Sequence, residues 1–181
     1  YFDPGRQMES PYRAGTQNVV FTGAMDYYAN AEGVAWFVES VWPGIRARRA
    51  NAQFWIVGSN PTREVLALSS MPGVTVTGRV ADVRPYLKFA DVAVAPLRLA
   101  RGIQNKVLEA LAMNLPVVAA PQALRGLDDN RPSTVAVACD PAEFANAVLR
   151  YLEAGSRSTD EPGREYVAQY FDWRTNLAKF G

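Results

Sequence analysis

The sequence predicts an α/β fold: a Rossmann-like three-layer sandwich around a six-stranded parallel sheet. Three observations carry this. Short apolar runs alternate with helical patterns along most of the chain. Runs such as NVVFTG at 18–23, QFWIVG at 53–58 and DVAVAP at 91–96 are too apolar for strands with one wet face, and read as strands covered on both. The chain has 181 residues, 49% of them hydrophobic, enough to bury one sizeable core. Strands alternating with helices build right-handed βαβ units, for which the strand order 3-2-1-4-5-6 is expected.

Residues 1–17 are polar and hold Pro4, Gly5, Pro11 and Gly15, which reads as a linker. The first strand, 18–23, is followed by a loop at 24–29, and Asn30 can cap the next helix. Val34, Phe37, Val38 and Val41 form that helix's apolar stripe, which Pro43 interrupts. After the second strand at 53–58, a short helix at 61–69 begins with proline. Val74–Gly78 is the third strand, and Asp82 can cap a helix at 84–89. The fourth strand is 91–96, the fifth 116–120 and the sixth 134–138. Between the fourth and fifth lies a helix of about two turns. Residues 141–154 form an amphipathic helix with proline in its first turn and Gly155 at its end. A last helical region spans 162–179.

Composition excludes several functions. Lys and Arg number 19 against 18 Asp and Glu, a net charge of +1, so a general electrostatic grip on nucleic acid is not expected. Histidine is absent, which removes the commonest general base and metal ligand. Cys139 is the single cysteine; it allows no internal disulfide and reads as a small buried residue at a strand end. No Cys/His cluster implies a metal. No Gly-x-Gly-x-x-Gly follows the first strand, and no Gly-x-x-x-x-Gly-Lys-Ser/Thr run exists, so neither a dinucleotide fingerprint nor a P-loop is present.

The chemistry gathers in Arg101-Gly102-Ile103-Gln104-Asn105-Lys106-Val107-Leu108-Glu109-Ala110-Leu111-Ala112. Val107, Leu108, Leu111 and Ala112 recur at helical spacing, while Asn105, Lys106 and Glu109 share another face. A helix N-terminus offers unpaired N–H groups and partial positive charge, which suit a phosphate. Gly102 permits close backbone approach, Lys106 adds a cation, and Glu109 can accept from sugar hydroxyls one turn deeper. Such sheets bind ligands beyond the carboxyl ends of their strands. That singles out the loops at 23–30, 78–82 and 96–106 and the turn after Ala120.

This run resembles the donor-binding motif of the family 4 retaining glycosyltransferases, the group 1 glycosyl transferases of GT-B fold. Their pattern is Glu-Gly-x-Gly-x-x-x-x-Glu-Ala. Glu109 matches the second glutamate and Gly102 the glycine after the first, whose own place Arg101 takes. The longer run Arg-Gly-Ile-x-Asn-Lys-Val-Leu-Glu-Ala is similar to a subgroup encoded beside exosortase and exopolysaccharide systems.

The resemblance implies the C-terminal half of a GT-B enzyme. Residues 1–17 would be an interdomain linker remnant and 18–160 the nucleotide-sugar donor domain. The segment 161–181 would cross back towards an N-terminal domain, both ends of the chain reading as cuts. The donor would be a UDP- or GDP-sugar, with no separate cofactor and no metal. Lys106 and Glu109 are the expected catalytic residues, Glu109 on the ribose hydroxyls and Lys106 with 102–105 on the diphosphate. Arg101 would discriminate donors, since a guanidinium only donates hydrogen bonds. Gly23 and Asn30 would border the phosphates, where the family carries a basic residue, and Val80 would pack on the base. The acceptor, a glycan or lipid-linked saccharide, would sit mainly on the N-terminal domain. The implied place is the cytoplasm, at the inner face of the membrane. The competing readings are a GT-B-related nucleotide-sugar epimerase and a non-catalytic nucleotide- or protein-binding module.

Overall fold

The computed structural model describes residues 1–100, 102–127, 130–155 and 162–171. Six strands, β1 (Gln17–Thr22), β2 (Ala52–Val57), β3 (Val74–Gly78), β4 (Val92–Ala95), β5 (Val117–Ala119) and β6 (Val135–Val137), form one sheet. Its order is β3-β2-β1-β4-β5-β6, and every pairing is parallel. This is the predicted order. β1 pairs with β2 along its whole length, from Gln17 opposite Ala52 to Thr22 opposite Val57. β3 spans the predicted residues, β1 and β2 run one residue earlier than predicted, and β4, β5 and β6 are shorter by a residue at each end.

The helices are α1 (Tyr28–Trp36), α2 (Trp42–Arg48), α3 (Arg63–Ala67), α4 (Arg84–Phe89), α5 (Asn105–Ala112), α6 (Pro141–Ala154) and α7 (Pro162–Phe171). A five-residue π turn, Phe37–Val41, joins α1 to α2. Pro43 falls in the first turn of α2, where a missing N–H costs nothing, so the chain changes helical register without ending. Right-handed crossovers that run leftward and rightward from β1 put their helices on opposite faces. α2 packs against α6, and α7 against α5. The larger layer is centred on Phe37, Trp42, Phe54 and Phe144, all almost fully buried. The Phe37 and Phe54 rings are 4.7 Å apart. The Trp42 indole N–H donates to the Pro72 carbonyl at 3.0 Å, so this large ring is buried without an orphan donor.

Three local expectations need correction. Asn30 is the third residue of α1, not its cap; Tyr27 stands at the cap and gives no side-chain bond. The 61–69 helix starts later than its proline, at Arg63, because Thr62 accepts from the Val65 N–H at 3.3 Å and sets the start. Cys139 is exposed, not buried: Ala138 takes the inward position past β6, and alternation turns Cys139 out. Asp82 serves helix α4 as expected, accepting from the Arg84 N–H at 2.9 Å, and it also grips the Arg84 guanidinium. Asp140 caps α6 through the Glu143 N–H, and Gly155 ends it at φ 64. Of the predicted 162–179 region, the residues past Phe171 lie outside those described, as does Arg101.

The strand ends next to the cleft are built from bare backbone. A Cβ on Gly58 would sit 1.7 Å from the carbonyl oxygen of Gly23. Gly23 N–H donates to Val57 at 3.0 Å, and Met25 N–H to Ser59 at 2.8 Å, so the two loops leave the sheet side by side. Gly58→Ala has only backbone to displace. We expect it to cost roughly 3 kcal/mol of unfolding free energy, the upper end for overpacking. Urea unfolding of the two proteins measures this; an unchanged midpoint would mean that the strand ends can part freely.

Candidate functional site: a charged cleft at the carboxyl edge of the sheet

The ends of β1, β2 and β3 and the start of α5 enclose a cleft of ≈ 760 Å³. β1 and its loop supply Thr22, Gly23 and Ala24, and α1 adds Asn30. β2 supplies Val57 and Gly58, followed by Ser59 and Asn60. The loop after β3 gives Arg79, Val80, Ala81 and Val83. The last wall is 103–106 with Glu109, and Tyr1 stands at the rim.

The amino end of α5 points its chemistry into this space. Gln104 has extended backbone and its side chain makes no capping bond, so the first-turn N–H groups gain no side-chain acceptor there. Three residues apart on one helical face, Lys106 and Glu109 both line the cleft. The Lys106 ammonium donates to Asn30 Oδ1 at 3.0 Å and lies 5.3 Å from the centre of the Phe21 ring. Among the described ion pairs none joins Lys106 to Glu109. Burial pulls the Lys106 ammonium down to about 8, against the opposing pull of Glu109. Burial likewise pushes the Glu109 carboxyl up, and Lys106 only partly counters it. Perturbed groups of opposite sign in one cleft mark it as a functional candidate.

Gly23, Asn30, Val80, Ile103, Gln104, Asn105, Lys106 and Glu109, all singled out from sequence, line this one cleft. Gly102 is beside it but exposed, with φ +66 and open space where a side chain would stand, so only its backbone conformation demands glycine. Arg101 lies outside the described residues. The turn after Ala120 does not reach the cleft. Gln122 and Arg125 instead border a separate hollow of ≈ 470 Å³ with Arg98, Leu99 and Ala100. Ile103 packs where a side chain on Gly126 would be, so that turn buttresses the loop from behind.

Ser59, Asn60 and Tyr1 are among the lining residues that sequence reasoning missed. The signal for the first two was present: Gly58-Ser59-Asn60-Pro61 follows a strand, just as the other cleft loops do. Asn60 adopts φ 54 and donates to Asp26 at 2.9 Å, tying the loops after β1 and β2 together. Tyr1 carried no such signal. Its ring lies 4.1 Å from the Arg84 guanidinium carbon, a contact between residues 83 positions apart. Tyr27 and Tyr28 are exposed. Among the described residues no group of three or more acidic, cysteine or histidine side chains could hold a metal ion. No described helix is long and apolar enough to cross a membrane.

Residues 16–154 match the family model for glycosyl transferases group 1. The chain belongs to that family. A comparison with curated proteins finds no significant match. Solved glycosyltransferases share the fold. Sucrose-phosphate synthase from Thermosynechococcus elongatus superposes with TM-score 0.72 at 23% identity, over 94% of this chain and 45% of that one. A glycosyltransferase from Rickettsia africae ESF-5 gives TM-score 0.74 at 16% identity, over 99% and 53%. Anabaena Alr3699/HepE, in complex with UDP-glucose, gives 0.71 at 15%, over 92% and 49%. The group 1 chain described here therefore spans about half the length of these structures.

The half-buried ammonium sets a pH-dependent cost on this group 1 fold. Below about pH 8 Lys106 is charged in both folded and unfolded states, and the folded state bears the whole cost of its partial desolvation. Between about 8 and 10.5 the folded protein loses this proton first, so the cost fades as pH rises. Lys106→Met should therefore stabilise the protein by about 1–3 kcal/mol near neutral pH. The gain should shrink towards about pH 10, as urea unfolding at the two values would show. A destabilised variant at neutral pH would mean that the ammonium is a net structural tie.

Proposed function

We propose that residues 18–160 form the donor-binding domain of a retaining glycosyltransferase, which moves a sugar from a UDP- or GDP-sugar to an acceptor. In this reading 1–17 is an interdomain linker, and 161–181 leads back to an N-terminal domain that holds most of the acceptor site. One observation carries it: Lys106 and Glu109, one turn apart, face a cleft at the carboxyl edge of a group 1 fold. The UDP-glucose bound to Anabaena HepE, a protein of the same fold, supports a nucleotide-sugar donor.

Each group has a task suited to its chemistry. The amino end of α5 and Lys106 take the diphosphate, whose negative charge grows as the sugar–phosphate bond breaks. Fixed N–H groups and a fixed ammonium stabilise that charge without reorganising. Glu109 accepts from the ribose hydroxyls, one turn deeper than the phosphates. Val80 packs on the base, with Arg79 beside it. The acceptor is a glycan or lipid-linked saccharide in polysaccharide assembly, by the likeness of the 101–110 run to exopolysaccharide-associated transferases. In this reading the full-length enzyme works in the cytoplasm at the membrane face, and Arg101 selects the donor sugar.

The 181-residue chain should bind UDP or GDP by calorimetry yet transfer no sugar, since the acceptor half of the site is not within it. Robust transfer by this chain alone would refute the division of labour. Lys106→Ala should weaken the nucleoside diphosphate about tenfold or more while leaving uridine or guanosine almost unchanged. In the full-length enzyme the same change should lower kcat as well, because leaving-group charge is largest in the transition state.

Glu109→Ala should behave differently, weakening nucleoside and diphosphate by the same factor. A charged hydrogen bond contributes about 1.5–3 kcal/mol, less what water returns. Its melting temperature at neutral pH should not fall, because the raised carboxyl signals a group whose ionisation disfavours folding. A preference for NAD over UDP and GDP, or no nucleotide binding at all, would overturn the glycosyltransferase reading in favour of another α/β module.

A further inference from the structure

The first loop of the cleft, Gly23-Ala24-Met25-Asp26-Tyr27-Tyr28, has no cation of its own. The ammonium that stands beside it comes from another element, α5, and is met by an amide. We propose that Asn30 is the positioning residue for the diphosphate-binding lysine: its carboxamide draws the Lys106 ammonium across from α5 to the end of β1. The proposal rests on the reading of Lys106 as the cation for the diphosphate.

Asn30 is 4% exposed, and both ends of its amide are engaged. Nδ2 donates to the Ala24 carbonyl at 2.8 Å, and Oδ1 accepts from Lys106 at 3.0 Å. These partners decide the orientation. A flipped amide would set Nδ2 against an ammonium and Oδ1 against a carbonyl, two repulsive contacts. The acceptor is also neutral. A carboxylate here would cancel the charge of Lys106, whereas an amide oxygen orients the ammonium and leaves its charge for an anion.

Gly23 makes the arrangement possible. A Cβ there would lie 2.7 Å from Asn30 Nδ2 and 3.4 Å from Lys106 Cε. No side chain fits without pushing the amide away. The Phe21 ring, on the same strand, faces the ammonium at 5.3 Å and adds a weak cation–π attraction. A lysine stem is long and loses much rotamer freedom when held. Holding it before the ligand arrives lowers the cost of binding, which is preorganisation. The other charged residues lining the cleft are Glu109, on the same helix, and the exposed Arg79 of the loop after β3.

The test is a double-mutant cycle on UDP binding to the 181-residue chain, with uridine as the reference ligand. Asn30→Ala should weaken UDP about tenfold and change uridine less than about twofold. In the Lys106→Ala background the same change should have almost no further effect, because its effect runs through the lysine. Gly23→Ala, which leaves the helix sequence intact, should reproduce Asn30→Ala, and it serves as the reading if the asparagine variant fails to fold. Full additivity of Asn30→Ala and Lys106→Ala, or equal losses for UDP and uridine, would overturn the role given to Asn30 while the diphosphate reading stood. No loss with Lys106→Ala alone would sink that reading itself.

Discussion

The tightest constraint in this molecule is the contact between two backbones, Gly23 and Gly58, at the ends of neighbouring strands. The Gly23 carbonyl occupies the space a side chain on Gly58 would need. Strands β1 and β2 are paired without a break up to this point, so their loops start from fixed positions. Asn60 and Asp26 then link the two loops above it. The cleft exists because the strand ends carry no side chains to fill it. Gly78, at the end of β3 with φ 68, turns the third loop in the same direction.

A second constraint opposes the first in sign. The fold is held by apolar burial around Phe37, Trp42, Phe54 and Phe144. The cleft instead holds a partly desolvated ammonium and a partly desolvated carboxylate. Lys106 is pulled down to about 8 and Glu109 is pushed up, each chiefly by burial. They attract one another, yet for both the desolvation is the larger effect. That pattern suits a site for a charged, hydroxyl-rich ligand, since partners from the ligand can supply the interactions that burial removed. The α5 helix reconciles the two demands: Val107, Ala110 and Leu111 are buried in the core, while Lys106 and Glu109 line the cleft.

Much of this was legible in the sequence. The apolar runs marked all six strands, and their spacing with helices implied the strand order, because right-handed crossovers leave few alternatives. The helical register of 105–112 put Lys106 and Glu109 on one face, and family resemblance gave that face a role. What the sequence left out came from distance. Ser59 and Asn60 belong to the cleft through the pairing of β1 with β2, and Tyr1 through its stacking on Arg84. The turn after Ala120 sits behind the loop, against Ile103, because β5 is two strands away from the glycine ends.

Asn30 marks the boundary between the two kinds of knowledge. By itself the sequence determined an asparagine near a helix start, in a loop without a basic residue, and local rules made it a cap. Helix α1 begins earlier, so Asn30 sits in its first turn with its amide turned inwards. Only the tertiary structure brought it to Lys106, a residue 76 positions away, by pairing β1 with β4 and setting α5 beside the end of β1. Periodicity, capping and turn chemistry are short-range, and a sequence displays them directly. A hydrogen bond between side chains on separate elements depends on where whole strands lie, and that is decided by the packing of the sheet.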